Sequence, residues 1–229
     1  MPTKPTALIT GASKGIGLAI ARELEATHHL LLGGRDEHRL QTVCREFRSA
    51  SPFTVDLTDE ASVDDAAATI GEVETLVHNA GISAKGKIAD LCRAQWREIF
   101  EINLFAIAQL TSLLLPALRA SRGQVIFINS GSGLSTSDSN AMYCGTKFAL
   151  RAFADVLREE ERPHGVRVCS IHPGKVDTDM QRDIATFAGV QYQPELYLQP
   201  EHVAQAVRLA ISAPHQSTME MISVRPTFQ

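Results

Sequence analysis

Seven short apolar runs, separated by longer stretches of helical periodicity, constrain this 229-residue chain more than any other feature. Residues 7–10, 30–33, 53–56, 75–79, 124–130, 167–171 and 219–224 read as strands. The intervening helices fall near 15–26, 36–48, 59–70, 93–119, 140–162 and 200–212. Repeated strand-helix units with apolar strands predict a parallel sheet covered on both faces. The expected fold is α/β: one doubly wound, Rossmann-like parallel sheet with helices on both sides. No linker, repeat or low-complexity segment divides the chain, so residues 1–229 are read as one domain. In such a fold ligands gather at the carboxyl ends of the strands.

Composition narrows the function classes. Hydrophobic residues make up 44% and charged residues 21%, with a net charge of −4, so no nucleic-acid surface is expected. The longest apolar runs, such as 113–115 and 125–128, are too short to cross a bilayer, and Met1 to Pro5 holds no apolar signal core. Cys44, Cys92, Cys144 and Cys169 are scattered, with neither a metal-ligand spacing nor a disulfide framework. The eight His also lack a ligand pattern, and His28-His29 reads as a solvated turn. A cytoplasmic protein without metal or membrane partner is expected.

Two motifs carry the chemistry. Gly11, Gly15 and Gly17 lie where the first strand turns into the first helix. Small residues there let the backbone approach a pyrophosphate, and the helix N-terminus offers free N–H groups. The spacing is G-x3-G-x-G rather than G-x-G-x-x-G. Far downstream, Ser130, Tyr143 and Lys147 stand as S-x12-Y-x3-K. Tyr143 and Lys147, at i and i+4, share a helix face. A free Tyr has a pKa of about 10; a nearby ammonium, and the positive ring of an oxidised nicotinamide, favour the phenolate. Ser130 ends a strand, where its hydroxyl can donate to a carbonyl oxygen. Cys144 points off the Tyr143 face and reads as packing.

Together these segments resemble the classical short-chain dehydrogenase/reductase family over roughly residues 5–226. The turn from Thr10 to Gly17 resembles its cofactor turn, which implies contacts from Gly11, Ser13, Lys14, Gly15, Ile16 and Gly17. Asp56-Leu57 is similar to its adenine-contacting position, Asn79-Ala80-Gly81 to its N-A-G segment, and Asn103 to the helical Asn of its catalytic tetrad. Ser130, Tyr143 and Lys147 match the other three members. The resemblance implies that Lys147 also reaches the nicotinamide ribose and that Asn103 holds a proton-relaying water. Pro173-Gly174-Lys175-Val176-Asp177-Thr178 matches the segment around the nicotinamide, with Pro173, Gly174, Val176 and Thr178 as contacts.

Cofactor choice turns on the residue after the second strand. A carboxylate there holds a free ribose 2′-hydroxyl; an Arg accepts a 2′-phosphate. Alignment to the family puts Gly34 at the acidic position, followed by Arg35, with Lys14 as a second cation. NADP(H) is expected. Asp36 argues the other way if the strand runs one residue longer, unless it caps the following helix.

The resemblance implies a reductase of a small or medium carbonyl compound, or the reverse reaction on an alcohol. Residues 83–87, 131–137 and 179–197 would line the substrate pocket, the last as a modest lid in which Phe187, Tyr192 and Tyr197 can form an apolar wall. The alternative is an NADP(H)-binding regulatory or sensor protein without turnover. An extended-type epimerase or dehydratase is disfavoured by the glycine spacing and chain length. Surplus apolar residues on the helices of Asn103 and Tyr143 predict a homodimer or homotetramer: Phe100, Ile102, Leu104, Phe105, Ile107 and Leu110 on one, Phe148, Leu150, Phe153, Val156 and Leu157 on the other.

Overall fold

The structure, a computed structural model, describes residues 4–227. Met1 to Thr3, part of the N-terminal segment read above, and Phe228-Gln229 lie outside the described residues. Seven strands, β1 (Thr6–Ile9), β2 (His29–Gly34), β3 (Ala50–Thr54), β4 (Thr75–His78), β5 (Gln124–Ile128), β6 (Arg167–Pro173) and β7 (Met221–Val224), form one sheet in the order β3-β2-β1-β4-β5-β6-β7. Every pairing is parallel. The doubly wound expectation holds. Pro52 sits in β3, an edge strand, where a missing N–H is tolerated.

Strand side chains alternate between two cores. Ala7, Ile9, Ile126 and Ile128 face α1 (Gly15–Leu24), α2 (Glu37–Cys44) and α8 (Pro200–Ile211). Leu8, Val125 and Phe127 face α3 (Glu60–Ala68), α5 (Ala106–Ser121) and α6 (Ala141–Glu161). The period of two within continuously apolar runs is what a sheet buried on both faces requires.

Several strands stop earlier than their apolar runs suggest. Asp56, Asn79 and Ser130 therefore lie beyond the carboxyl ends of β3, β4 and β5, in the connections. The predicted helix at 93–119 is continuous from Arg93 to Ser121 but not uniform. A π-helical turn, Glu101–Phe105, separates α4 (Arg93–Phe100) from α5, and the Ala106 N–H bonds the Glu101 carbonyl. By length and apolar composition alone this 29-residue helix could cross a membrane, which short apolar runs did not reveal. It is a core helix here: Ile107, Leu110, Leu114 and Leu118 pack onto the sheet.

Two expectations are corrected. His28 is buried, bonded to the Thr27 hydroxyl, and His29 opens β2 against Ser49, so the pair is no solvated turn. The segment after the P-G turn is not a plain loop: α7 (Asp179–Phe187) occupies it, with Thr178 as N-cap. The predicted helix stripes also divide. Ile107, Leu110, Leu150 and Leu157 are consumed by the core, whereas Phe105 (51% exposed), Phe148 and Val156 (57%) remain on the surface, joined by Leu113, which those stripes did not include.

Candidate active site

The sheet order reverses between β1 and β4, and a cleft of about 1050 Å³ opens there at the carboxyl ends. The glycine turn forms its floor. Gly11 adopts φ +64°, and a Cβ on Gly17 would stand 2.3 Å from the Gly11 carbonyl oxygen, so the turn cannot carry side chains at these places. Lys14 is the N-cap of α1 but supplies no side-chain cap, which leaves the first N–H groups for a ligand. Thr10 and Asn79 tie the turn to β4. The Thr10 hydroxyl accepts from the Asn79 and Ala80 N–H groups at 3.0 Å each. The Asn79 amide donates to the carbonyls of Thr10 (3.0 Å) and Gly11 (3.1 Å).

Gly11, Ser13, Lys14, Gly15, Ile16, Arg35, Asp56, Leu57, Asn79, Ala80, Gly81 and Thr178 all line the cleft. Gly17 packs behind the turn rather than lining it, and Val176 is buried in the core with a bridge to Leu198. Asp36 is used up locally: its carboxylate accepts from the Arg39 N–H at 2.9 Å as the N-cap of α2. Gly34 and Arg35, not Asp36, face the cleft. Asp56 accepts from the backbone and hydroxyl of Thr58, at 2.9 and 2.7 Å, which holds its carboxyl below the usual range. Glycine cradle, free helix terminus, acidic adenine position and exposed cation together fit a dinucleotide.

Asn103, Ser130, Tyr143 and Lys147 gather behind the inner end of this cleft. Asn103, fully buried in the π-helical turn, accepts from the Ile82 N–H (2.9 Å) and donates to the Ile82 carbonyl (2.8 Å) and the Thr146 hydroxyl (3.2 Å). Thr146 in turn donates to the Tyr143 carbonyl at 2.8 Å. Lys147 Nζ donates to the Ile128 carbonyl at 3.1 Å and sits 5.6 Å from the Tyr143 ring centre. A Cβ on Gly81 would lie 3.1 Å from Asn103 Oδ1 and 4.0 Å from Lys147 Nζ, so Gly81 is the thin wall between the cleft and this group of four.

The electrostatics differ from the sequence reading. Burial pushes the Tyr143 phenol up, and the opposing influence is a hydrogen bond with Ser130 rather than the Lys147 charge. Burial lowers the Lys147 amine to about 8. Lys147 Nζ donates to the Ile128 carbonyl, and in the free protein burial is the largest influence on the phenol and holds it above its ordinary value. Tyr143 therefore stands as a neutral phenol, the form that donates a proton.

The chain matches the short chain dehydrogenase family over residues 5–188. It belongs to that family. An oxidoreductase of Staphylococcus epidermidis is 32% identical over 227 residues, covering 96% of each chain. Among solved structures, an alcohol dehydrogenase from Thermococcus sibiricus complexed with 5-hydroxy-NADP superposes with a TM-score of 0.89 at 28% identity, covering 99% of this chain and 98% of that one. A metagenomic short-chain oxidoreductase in complex with NADP gives 0.84 at 29%, covering 99% of each. The protein is thus a short-chain dehydrogenase, an oxidoreductase built to bind a nicotinamide cofactor.

This short-chain dehydrogenase also uses residues that the motifs did not single out. Thr146 links Asn103 to the Tyr143 helix. Met180, Ile184 and Phe187 of α7 line the cleft's outer side. Their spacing is helical, and Thr178-Asp179-Met180-Gln181 has the pattern of an N-terminal capping box, so α7 was readable. The ion pair between Lys14 and Asp179, at 2.7 Å, had no local signal.

Proposed function

We propose that the protein is an NADP(H)-dependent oxidoreductase of a carbonyl/alcohol pair, acting as a reductase of a small or medium aldehyde or ketone. One observation carries this reading: Tyr143 lies beside the buried Lys147, whose Nζ is 5.6 Å from the phenol ring centre, with the Ser130 hydroxyl close enough to influence the phenol, across Gly81 from a dinucleotide-sized cleft.

NADPH, when bound, supplies the hydride. Ser130 holds the substrate's carbonyl oxygen by donating its hydroxyl, and Tyr143 gives that oxygen a proton. Lys147 returns a proton towards Tyr143, and Asn103 keeps the loop after β4 and the Tyr143 helix in register for it. Gly11, Ser13, Lys14, Gly15, Ile16 and Gly17 cradle the pyrophosphate side. Asp56 and Leu57 would take the adenine, and Asn79, Ala80, Gly81, Pro173, Gly174 and Thr178 would surround the nicotinamide half, with Val176 anchoring that segment to the core.

The preference for NADP(H) rests on Arg35 in the cleft, on Asp36 being committed to its helix cap, and on the NADP-type cofactors of the two solved relatives. One domain, 1–229, carries cofactor and catalysis. The free cysteines suit a reducing cytoplasm, and the exposed Phe105, Leu113, Phe148 and Val156 suit a homodimer or homotetramer.

NADPH oxidation measured against a broad panel of aldehydes and ketones tests the reading. Turnover abolished by Tyr143→Phe is expected. Silence across the panel, from protein that demonstrably binds NADPH, would overturn it in favour of a binding protein without turnover.

A further inference from the structure

Behind the sheet end that presents Ser130 lies a buried polar network with no part in the motifs. His172, the residue before Pro173-Gly174, is fully buried. Its Nδ1 is 2.9 Å from the Ser130 carbonyl oxygen and its Nε2 is 2.9 Å from the Ser170 hydroxyl. A carbonyl only accepts, so Nδ1 carries the proton. Nε2 is then the acceptor, and the Ser170 hydroxyl donates to it. The Asn129 amide donates to Ser170 Oγ (3.5 Å) and to the Lys147 carbonyl (3.2 Å). Every proton direction in the chain Asn129, Ser170, His172, Ser130 is thereby fixed. One end holds the backbone of Lys147 and the other the backbone of Ser130.

The site of this contact is where ordinary strand pairing runs out. The last ladder bond between β5 and β6 at this end is from the Asn129 N–H to the Ile171 carbonyl, 2.8 Å. Pro173 has no N–H to offer the Asn129 carbonyl, so the ladder stops there. The His172 ring supplies the donor that the Ser130 carbonyl receives. His172 is itself held from the far side, since Arg225 Nη1 donates to its carbonyl at 2.7 Å. The Arg225 guanidinium lies against Gly131, where a Cβ would stand 3.0 Å from Nη2.

We propose that His172 is a positioning residue for the reaction: gripping the Ser130 carbonyl from behind, it sets the direction in which the Ser130 hydroxyl meets the substrate oxygen. This rests on the role assigned to Ser130 above. Misplacement of a catalytic group by about 1 Å can cost on the order of a hundredfold in rate, so a contact that touches no substrate can still govern turnover. Burial holds the imidazole below its usual pKa, the Ser130 bond opposes this, and the neighbouring charges of Arg151, Arg225 and Lys147 lower it further. The ring is neutral near pH 7, as the proton pattern demands.

The test compares His172→Phe, His172→Asn and His172→Gln, alone and with Ser130→Ala. In side-chain geometry an Asn amide N–H takes the place of Nδ1 and a Gln amide N–H that of Nε2. His172→Phe is expected to lower kcat by about tenfold or more while KM and the NADPH Kd stay within about twofold. His172→Asn should restore most of kcat and His172→Gln should not. In the Ser130→Ala background, His172→Phe should cost nothing further, because the two act through one group.

Equal kcat for the Asn and Gln variants, or full additivity with Ser130→Ala, overturns the proposal. The Asn and Gln pair decides it even if His172→Phe fails to fold. Full turnover by Ser130→Ala would remove the role of Ser130 and this inference together. A slow Ser130→Ala enzyme with full turnover in His172→Phe would remove the inference alone.

Discussion

Lys14 and Asp179 form an ion pair, Nζ to Oδ2 at 2.7 Å, between the glycine turn and the first residue of the helix that covers the cleft. The Lys14 charge holds the Asp179 carboxyl below its usual range. In the free protein, the second cation assigned to the 2′-phosphate is therefore already engaged.

Asp179→Asn should free Lys14 for the cofactor. Exposed pairs of this kind are worth about 0.2–1 kcal/mol, so NADPH should bind up to about fivefold more tightly, with NADH unchanged. Fluorescence titration with both cofactors checks this. Weaker NADPH binding would mean that Asp179 holds the cleft together rather than competing for Lys14.

Arg35 lines the cleft and forms no salt bridge among the described residues, although its charge reaches the Asp56 carboxylate. Arg35→Ala should weaken NADPH binding by roughly 1–3 kcal/mol, the value of a charge-assisted contact, and leave NADH nearly untouched. Equal losses for both cofactors would show that Arg35 does not read the 2′-phosphate.

Lys147 titrates near 8 in the folded chain against 10.5 when unfolded. The folded state thus prefers the neutral amine. Below pH 8 the buried ammonium costs stability, and between pH 8 and 10.5 the unfolded chain holds more protons, so stability from this group rises with pH. Tm measured across that range should climb in the native protein relative to Lys147→Met. Parallel curves would contradict the burial account.

Phe148 and Val156 sit exposed on α6, two turns apart, and Phe105 and Leu113 likewise on the neighbouring helix. Light scattering should give a multiple of 24.9 kDa. Phe148→Asp combined with Val156→Asp should shift it toward the single-chain mass. Fully active native enzyme at the single-chain mass at micromolar concentration would dispose of the oligomer.

What the sequence made legible follows from range. The β-α alternation and the glycine turn are local, and local periodicity placed Gly11, Asn79, Ser130 and Tyr143 at strand ends or on helices before any fold was known. Asp36 was ambiguous because cap and ribose ligand look alike in one dimension; the Arg39 N–H resolves it. The helix over 179–187 went unread although its signals were local: Thr178 and Gln181 have the capping pattern, and Met180, Ile184 and Phe187 keep the helical period through a polar stretch. Asn129, Ser170 and His172 interrupt apolar strands visibly, yet only the parallel register of β5 and β6 makes them neighbours. The upward push on the Tyr143 phenol in the free protein was not legible, because desolvation depends on enclosure, which no spacing encodes.

The π-helical turn at Glu101–Phe105 amounts to one residue more than a uniform α-helix needs between Trp96 and Leu110. Deleting a residue elsewhere in that helix would swing one half by about 100° and pull its apolar face off the sheet. Deleting one within the turn would instead heal the helix and leave both halves in phase. The loss this helix absorbs most readily is therefore the one that withdraws Asn103 from Ile82 and Thr146. A lineage could shed catalysis there in a single codon and keep a folded dinucleotide-binding protein.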